Sequence, residues 1–230
     1  MLLTPNLLVH SDGSPVEKNS WVLRRQELAA AIISHQFGDM PPKPTNIDII
    51  RRANNRIHDW DGAEYATYQI DVWFHDIPPI SLTISLWIPS GDGPFCTVLD
   101  IDGCWRYFND QVIHSILKRG YIAASIDRTQ VAADNKDSYR NTGLYRLFPS
   151  AKFGVCAAWA WAVHRSVDAL ITIERVNSEA IAITGHSRGG KTALLAGATD
   201  ERVAITNPNN SGVGGAAPNR LKMKGSEVID

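Results

Sequence analysis

Gly185-His186-Ser187-Arg188-Gly189 sets a serine between glycines two residues to either side. An apolar run, Ala-Ile-Ala-Ile-Thr at 180–184, precedes it, and a small-residue segment of helical character, Gly-Gly-Lys-Thr-Ala-Leu-Leu-Ala-Gly-Ala, follows from residue 189. Strand, G-x-S-x-G and helix in that order describe a nucleophile elbow. The turn must lift the Ser187 hydroxyl above the sheet edge. That strains the serine backbone and leaves no room for side chains at 185 and 189, hence two glycines. The helix that follows aims free N–H groups and a positive dipole end at the place where an oxyanion would form. The bland alternative is a Gly-rich turn with a solvated serine. A bare G-x-S-x-G permits it, but the flanking strand and helix argue against it. Ser187 is the candidate nucleophile.

Other elements must position that serine. Residues 1–20 read as a loosely attached arm. The segment 21–38 carries Val22, Leu23, Leu28, Ala29, Ile32, Ile33 and Phe37 near one helical stripe, and Met40-Pro41-Pro42 should end it. A polar linker follows. Strands are expected at 65–74 and 80–88, joined by a short turn at 75–79 into an antiparallel hairpin. Beyond them the rhythm becomes strand, helix, strand. Strands are expected at 95–101, 121–126, 180–184 and 203–206, a short helix at 111–119 closed by Gly120, and a long helix at 152–175. Cys156, Trp159, Ala160, Val163, Val167, Leu170 and Ile171 should form the long helix's buried face. A hairpin feeding a βαβαβ series implies an α/β fold with a mostly parallel sheet and helices on both faces. Sites in such sheets lie at the carboxyl ends of the strands. Here that means residues 102–105, Asp127-Arg128, Ser187 and residues 207–212.

Composition narrows the class. The 230 residues are 44% hydrophobic and 20% charged, with a formal net charge of −1. That describes a globular protein with no basic excess for nucleic acid or an anionic membrane. Cys96, Cys104 and Cys156 are too few for a disulfide framework, and their spacing fits no metal site, although two could pair. No cofactor is implied. The longest apolar run is shorter than a membrane span. The first fifteen residues lack a basic segment and have only a very short apolar run, so they do not read as a signal peptide. Either the chain is cytoplasmic or its true start lies upstream.

The heptapeptide from Gly185 to Lys191 extends into Ala-Gly-Ala and Asp200-Glu201-Arg202, then Asn209-Asn210-Ser211-Gly212 with Gly214-Gly215. This run resembles the glucuronoyl esterases, carbohydrate esterase family 15, an α/β-hydrolase group that shares a G-[CH]-S-R-x-G-K elbow. The stretch around Trp159, Trp161, His164 and Arg165, with residues 145–149 before it, is similar to the bacterial members. The resemblance runs from about Trp21 onward. It implies hydrolysis of esters of 4-O-methyl-glucuronic acid on xylan with lignin alcohols, in proteins that are usually secreted or periplasmic; related sequences carry the label acetylxylan esterase. It also implies roles for the residues beside Ser187. The Arg188 N–H would sit at the oxyanion and its guanidinium would reach it; the alternative is a surface salt bridge. Lys191, one helical turn on, would hydrogen-bond sugar hydroxyls; the alternative is a solvated helix lysine. His186 reads as a packed spacer.

One departure stands out. All seven histidines (10, 35, 58, 75, 114, 164, 186) precede Ser187, whereas α/β-hydrolases run serine, acid, histidine. The family's frequent Glu-Ser-Gly acid triplet is Asn210-Ser211-Gly212 here, and an asparagine carries no charge to stabilise an imidazolium. His164 as a relocated base would sit mid-helix, on the wrong side of the sheet order. The sequence therefore predicts an incomplete α/β-hydrolase domain over 21–230, with C-terminal strands, acid and base supplied from beyond it. Alone, it should have little or no esterase activity and should tend to aggregate or associate. Three hypotheses compete: a glucuronoyl esterase, an acetylxylan or other small-acyl esterase, and a non-catalytic domain that binds carbohydrate.

Overall fold

The computed structural model describes residues 6–217. Its elements in chain order are α1 (Trp21–Ile32), β1 (Asn46–Ile57), β2 (Ala63–Phe74), β3 (Ile77–Ile88), β4 (Phe95–Asp100), α2 (Asp110–Leu117), β5 (Ile122–Ile126), α3 (Leu144–Leu147), α4 (Val155–Leu170), β6 (Val176–His186), α5 (Arg188–Thr199) and β7 (Val203–Asn209). The strands form one seven-stranded sheet in the order β1-β2-β3-β5-β4-β6-β7. β5, β4, β6 and β7 run parallel, and β3 joins them antiparallel through β5. The expected α/β architecture, with its opening hairpin, is what the chain adopts.

Strand β5 shows how the layers form. Ile122, Ala124 and Ile126 point into the large core with α4, while Ala123 packs with Ile113 and Leu117 of α2 on the other side. Alternation along a strand thus feeds a helix layer on each face. Helix α4 is buried almost all round, including Trp159 and Trp161. Each indole satisfies its N–H on a backbone carbonyl, Trp159 on Ala132 O at 2.8 Å and Trp161 on Pro42 O at 3.1 Å.

Four expectations need correction. The linker before the hairpin contains β1, paired with β2 from Asn46 to Ile57. Its Asn-Asn-Arg stretch hid it, because an edge strand with one neighbour needs few buried side chains, here mainly Ile47 and Ile49. The expected stripe is only partly engaged: Val22, Leu23 and Ile32 are more than half exposed, Ile33 and Phe37 at its far end pack against the core, and Arg24 is the buried residue of α1. Polar contacts hold this helix, with Arg24 donating to Glu27 Oε2 (2.8 Å) and Asn6 O (3.0 Å), and Arg25 to Ala198 O (2.8 Å). The segment ends at Gly38 rather than at the prolines. Gly38 has φ +82°, and a Cβ there would overlap the Lys152 carbonyl. The long helix is also shorter than expected at both ends, leaving Ile171 beyond it and partly exposed. The three cysteines are free.

Candidate active site

The carboxyl ends of β4, β5, β6 and β7 converge, and Ser187 sits where β6 gives way to α5. Its backbone lies at φ +55°, ψ −116°, a region that side-chain-bearing residues rarely occupy. The strain is held from both sides. Ser187 N–H donates to Asn209 O at 3.0 Å, and Ser187 O accepts from Lys191 N–H at 3.0 Å. A Cβ at Gly185 would stand 2.5 Å from Gly189 O, and one at Gly190 would stand 2.6 Å from Asn209 O. At Gly189 the obstruction is the Asp102 carboxylate, so three positions require glycine, two against backbone and one against a side chain, one more than the motif names. Among the described residues no side chain caps α5, so the helix start presents N–H groups beside the serine.

Charged residues surround the turn. Asp102, buried at the end of β4, accepts the His186 N–H at Oδ2 (2.6 Å). Arg128, 1% exposed, places Nη1 2.8 Å from Asp102 Oδ1 and Nη2 2.8 Å from Asp134 Oδ2. The Nη1 hydrogen bond goes to Cys104 Sγ at 2.8 Å, so the attraction to Oδ1 is an ion pair without an aligned hydrogen bond. The guanidinium also lies 4.3 Å from the centroid of Trp159. Burial raises the Asp102 carboxyl above its ordinary range, against the opposing pull of the His186 N–H and Arg128. Asp100, two residues earlier, is fully buried, and burial pushes it up to about 6. Its oxygens accept from Asp102 N–H (2.9 Å) and the Ser125 hydroxyl (3.0 Å).

The sequence-derived candidates fall as follows. Arg188 opens α5, and its Nη1 pairs with Asp134 Oδ1 at 2.6 Å. The Arg188 side chain is half exposed while Asp134 is 7% exposed, so this is not a pair between two solvated residues. Lys191 lies one turn along α5, partly buried and near the Cys156 thiol of α4. His186 is exposed rather than packed inside, its ring stacked on Tyr107 with centroids 5.8 Å apart. Asn210 follows β7 as an exposed turn residue at φ +45°, and the buried neighbour is Ser211. His164 is half-buried between α4 and α5, bonded to Ala196 O (3.2 Å) and Thr199 Oγ1 (3.1 Å), with its pKa lowered by desolvation. No histidine among the described residues hydrogen-bonds Ser187. Asp134 escaped the sequence reading, since it lies six residues past Arg128 in a loop without a motif. A buried arginine at a strand end, needing a carboxylate partner, was the available signal.

The family model described as glucuronyl esterase, fungi, matches residues 75–228, a span that includes β3 to β7 and the whole elbow. The 4-O-methyl-glucuronoyl methylesterase of Cerrena unicolor is 31% identical over 98% of this chain and 47% of its own length. Its Phanerochaete chrysosporium counterpart is 32% identical over 97% of this chain and 45% of its own. The chain thus spans about half the length of these curated relatives. Among solved structures, the carbohydrate esterase family 15 glucuronoyl esterase from Caldicellulosiruptor kristjansonii superposes with a TM-score of 0.78 at 28% identity. That match covers 99% of this chain and 60% of the other. A mutant glucuronoyl esterase from Sporotrichum thermophile, in complex with methyl 4-O-methyl-β-D-glucopyranuronate, matches with a TM-score of 0.74 at 26% identity, over 93% of this chain and 54% of its own. The chain belongs to the glucuronoyl esterases, carbohydrate esterase family 15.

Proposed function

We propose that Ser187 is the nucleophile of an esterase that cleaves glucuronoyl esters of plant cell-wall carbohydrate, releasing the alcohol. One observation carries this reading: the positive-φ serine at the junction of β6 and α5, backed by three glycines that admit no side chain. The Ser187 hydroxyl oxygen attacks the ester carbonyl carbon as its proton passes to a general base, and the carbonyl oxygen becomes an oxyanion. The Arg188 N–H and guanidinium stabilise that charge. Collapse breaks the bond to the alcohol oxygen, which takes up the proton from the base, and leaves a glucuronoyl ester on Ser187, which water hydrolyses. Lys191 binds sugar hydroxyls. The substrate class follows the relatives, which are 4-O-methyl-glucuronoyl methylesterases, and the uronate ester bound in the Sporotrichum mutant.

A serine hydroxyl needs a base within hydrogen-bond reach, and the described histidines are engaged elsewhere or exposed away from any bond to Ser187. We infer that base and acid come from sequence outside these 230 residues. The uncharged Asn210 fits that reading and equally favours the second one, a domain that binds carbohydrate without turnover. The discriminating experiment compares benzyl D-glucuronate with p-nitrophenyl acetate. The glucuronate ester should be preferred in kcat/KM, and the 230-residue chain alone should turn over far below about 1 s⁻¹. A preference for the acetyl ester would move the assignment to the small-acyl esterases.

A further inference from the structure

The charged residues around the elbow form a single path whose two ends bracket the serine. It starts at the His186 N–H on Asp102, passes through Arg128 to Asp134, and ends on the Arg188 guanidinium. On this geometry we infer that Asp134 is a positioning residue, holding Arg188 in place beside Ser187. The inference rests on the role proposed above for Arg188.

The physical need is clear. Arg188 is long, half exposed and the first residue of its helix, so in water its guanidinium would sample many rotamers. An oxyanion donor is useful only when held where the charge develops. Asp134 meets this need because its carboxylate is gripped from the other side: Oδ2 lies 2.8 Å from Arg128 Nη2 and Oδ1 lies 2.6 Å from Arg188 Nη1. Arg128 is itself fixed by Asp102, Cys104 and the Trp159 ring. The backbone just before Asp134 is pinned too. Trp159 Nε1–H donates to Ala132 O, Ala133 N–H donates to Thr142 Oγ1 (2.9 Å), and Leu144 N–H closes the loop on Val131 O (2.8 Å). The contact engages one nitrogen of a group with five N–H donors, so donors remain for an oxyanion.

The test reads order and binding rather than turnover. In the 230-residue chain, the Arg188 Nε–H resonance, assigned by its loss in Arg188→Lys, should show the heteronuclear NOE of a rigid group. In Asp134→Ala and the isosteric Asp134→Asn it should become mobile while the backbone amides of residues 186–189 keep their shifts. Asp134→Glu should restore part of the order. Sodium D-glucuronate, titrated calorimetrically, should bind Asp134→Ala at least about tenfold more weakly than the parent, again with partial recovery in Asp134→Glu. A mobile Arg188 in the parent, equal rigidity in both uncharged variants, or unchanged glucuronate affinity would overturn the inference. Failure of the parent to bind glucuronate would count against the proposed function, while the mobility of Arg188 would still decide the role of Asp134.

Discussion

The carboxylate of Asp102 occupies the space that a Cβ on residue 189 would need, and the same Oδ2 accepts the His186 N–H at 2.6 Å. The segment just past β4 thereby reaches across to brace both limbs of the turn that presents Ser187. The second motif glycine is thus explained by a buried carboxylate as well as by the sharpness of the bend.

Substituting Gly189 with alanine should be costly in stability, because Asp102 is held by two hydrogen-bonding or charged neighbours and cannot move aside. Overpacking of this kind destabilises by about 1–3 kcal/mol. Gly197→Ala is the control: there the nearest obstructing atom is the Thr206 hydroxyl, which can rotate, with the Thr206 carbons beyond 3.0 Å. Urea unfolding should show the larger loss at 189. Equal losses would mean that Asp102 is not a rigid brace.

Backbone strain at Ser187 gives a second outcome. At φ +55°, ψ −116°, glycine is relaxed and alanine is not. Strain of about 1–3 kcal/mol, less the extra freedom glycine has when unfolded, should leave Ser187→Gly about 1 kcal/mol more stable than Ser187→Ala. A more stable alanine variant would contradict the strained turn.

The pH dependence of stability should carry the mark of Asp100. Its folded-state pKa is raised from 3.8 to about 6 by burial, so between those values the folded chain holds a proton that the unfolded chain has released. That contribution is fully present below pH 3.8 and is lost as pH rises through 6, on the order of 2–3 kcal/mol. Asp100→Asn cannot titrate. Its melting temperature relative to the parent should therefore climb between about pH 4 and 7 and then level off. A flat or falling difference would refute the assignment.

Much of this was readable in the sequence because period and punctuation agreed. Ser187 was visible because an apolar strand, two glycines and a helix stood in fixed order. The short apolar run of β5 and the apolar character of α4 announced buried elements. Two things hid the rest. Strand β1 is held by backbone pairing at a sheet edge, which imposes little on side chains. The Arg128–Asp134–Arg188 bridge joins a strand end, a loop and a helix start, and such charge pairing has no period. Exposed Val22 and Leu23 on α1 mark the converse error, where a helical spacing of apolar residues did not mean a buried face.

The central claim is a Ser187-dependent glucuronoyl esterase, and its direct measurement is benzyl D-glucuronate hydrolysis by the protein at the full length its gene encodes. The parent should turn over at about 1 s⁻¹ or faster, within the common range of enzymes. Ser187→Ala should lower that rate by about 10⁴-fold or more, since removing the nucleophile disables the whole catalytic unit. Turnover unchanged in Ser187→Ala, or no turnover by the full-length parent, would contradict the account.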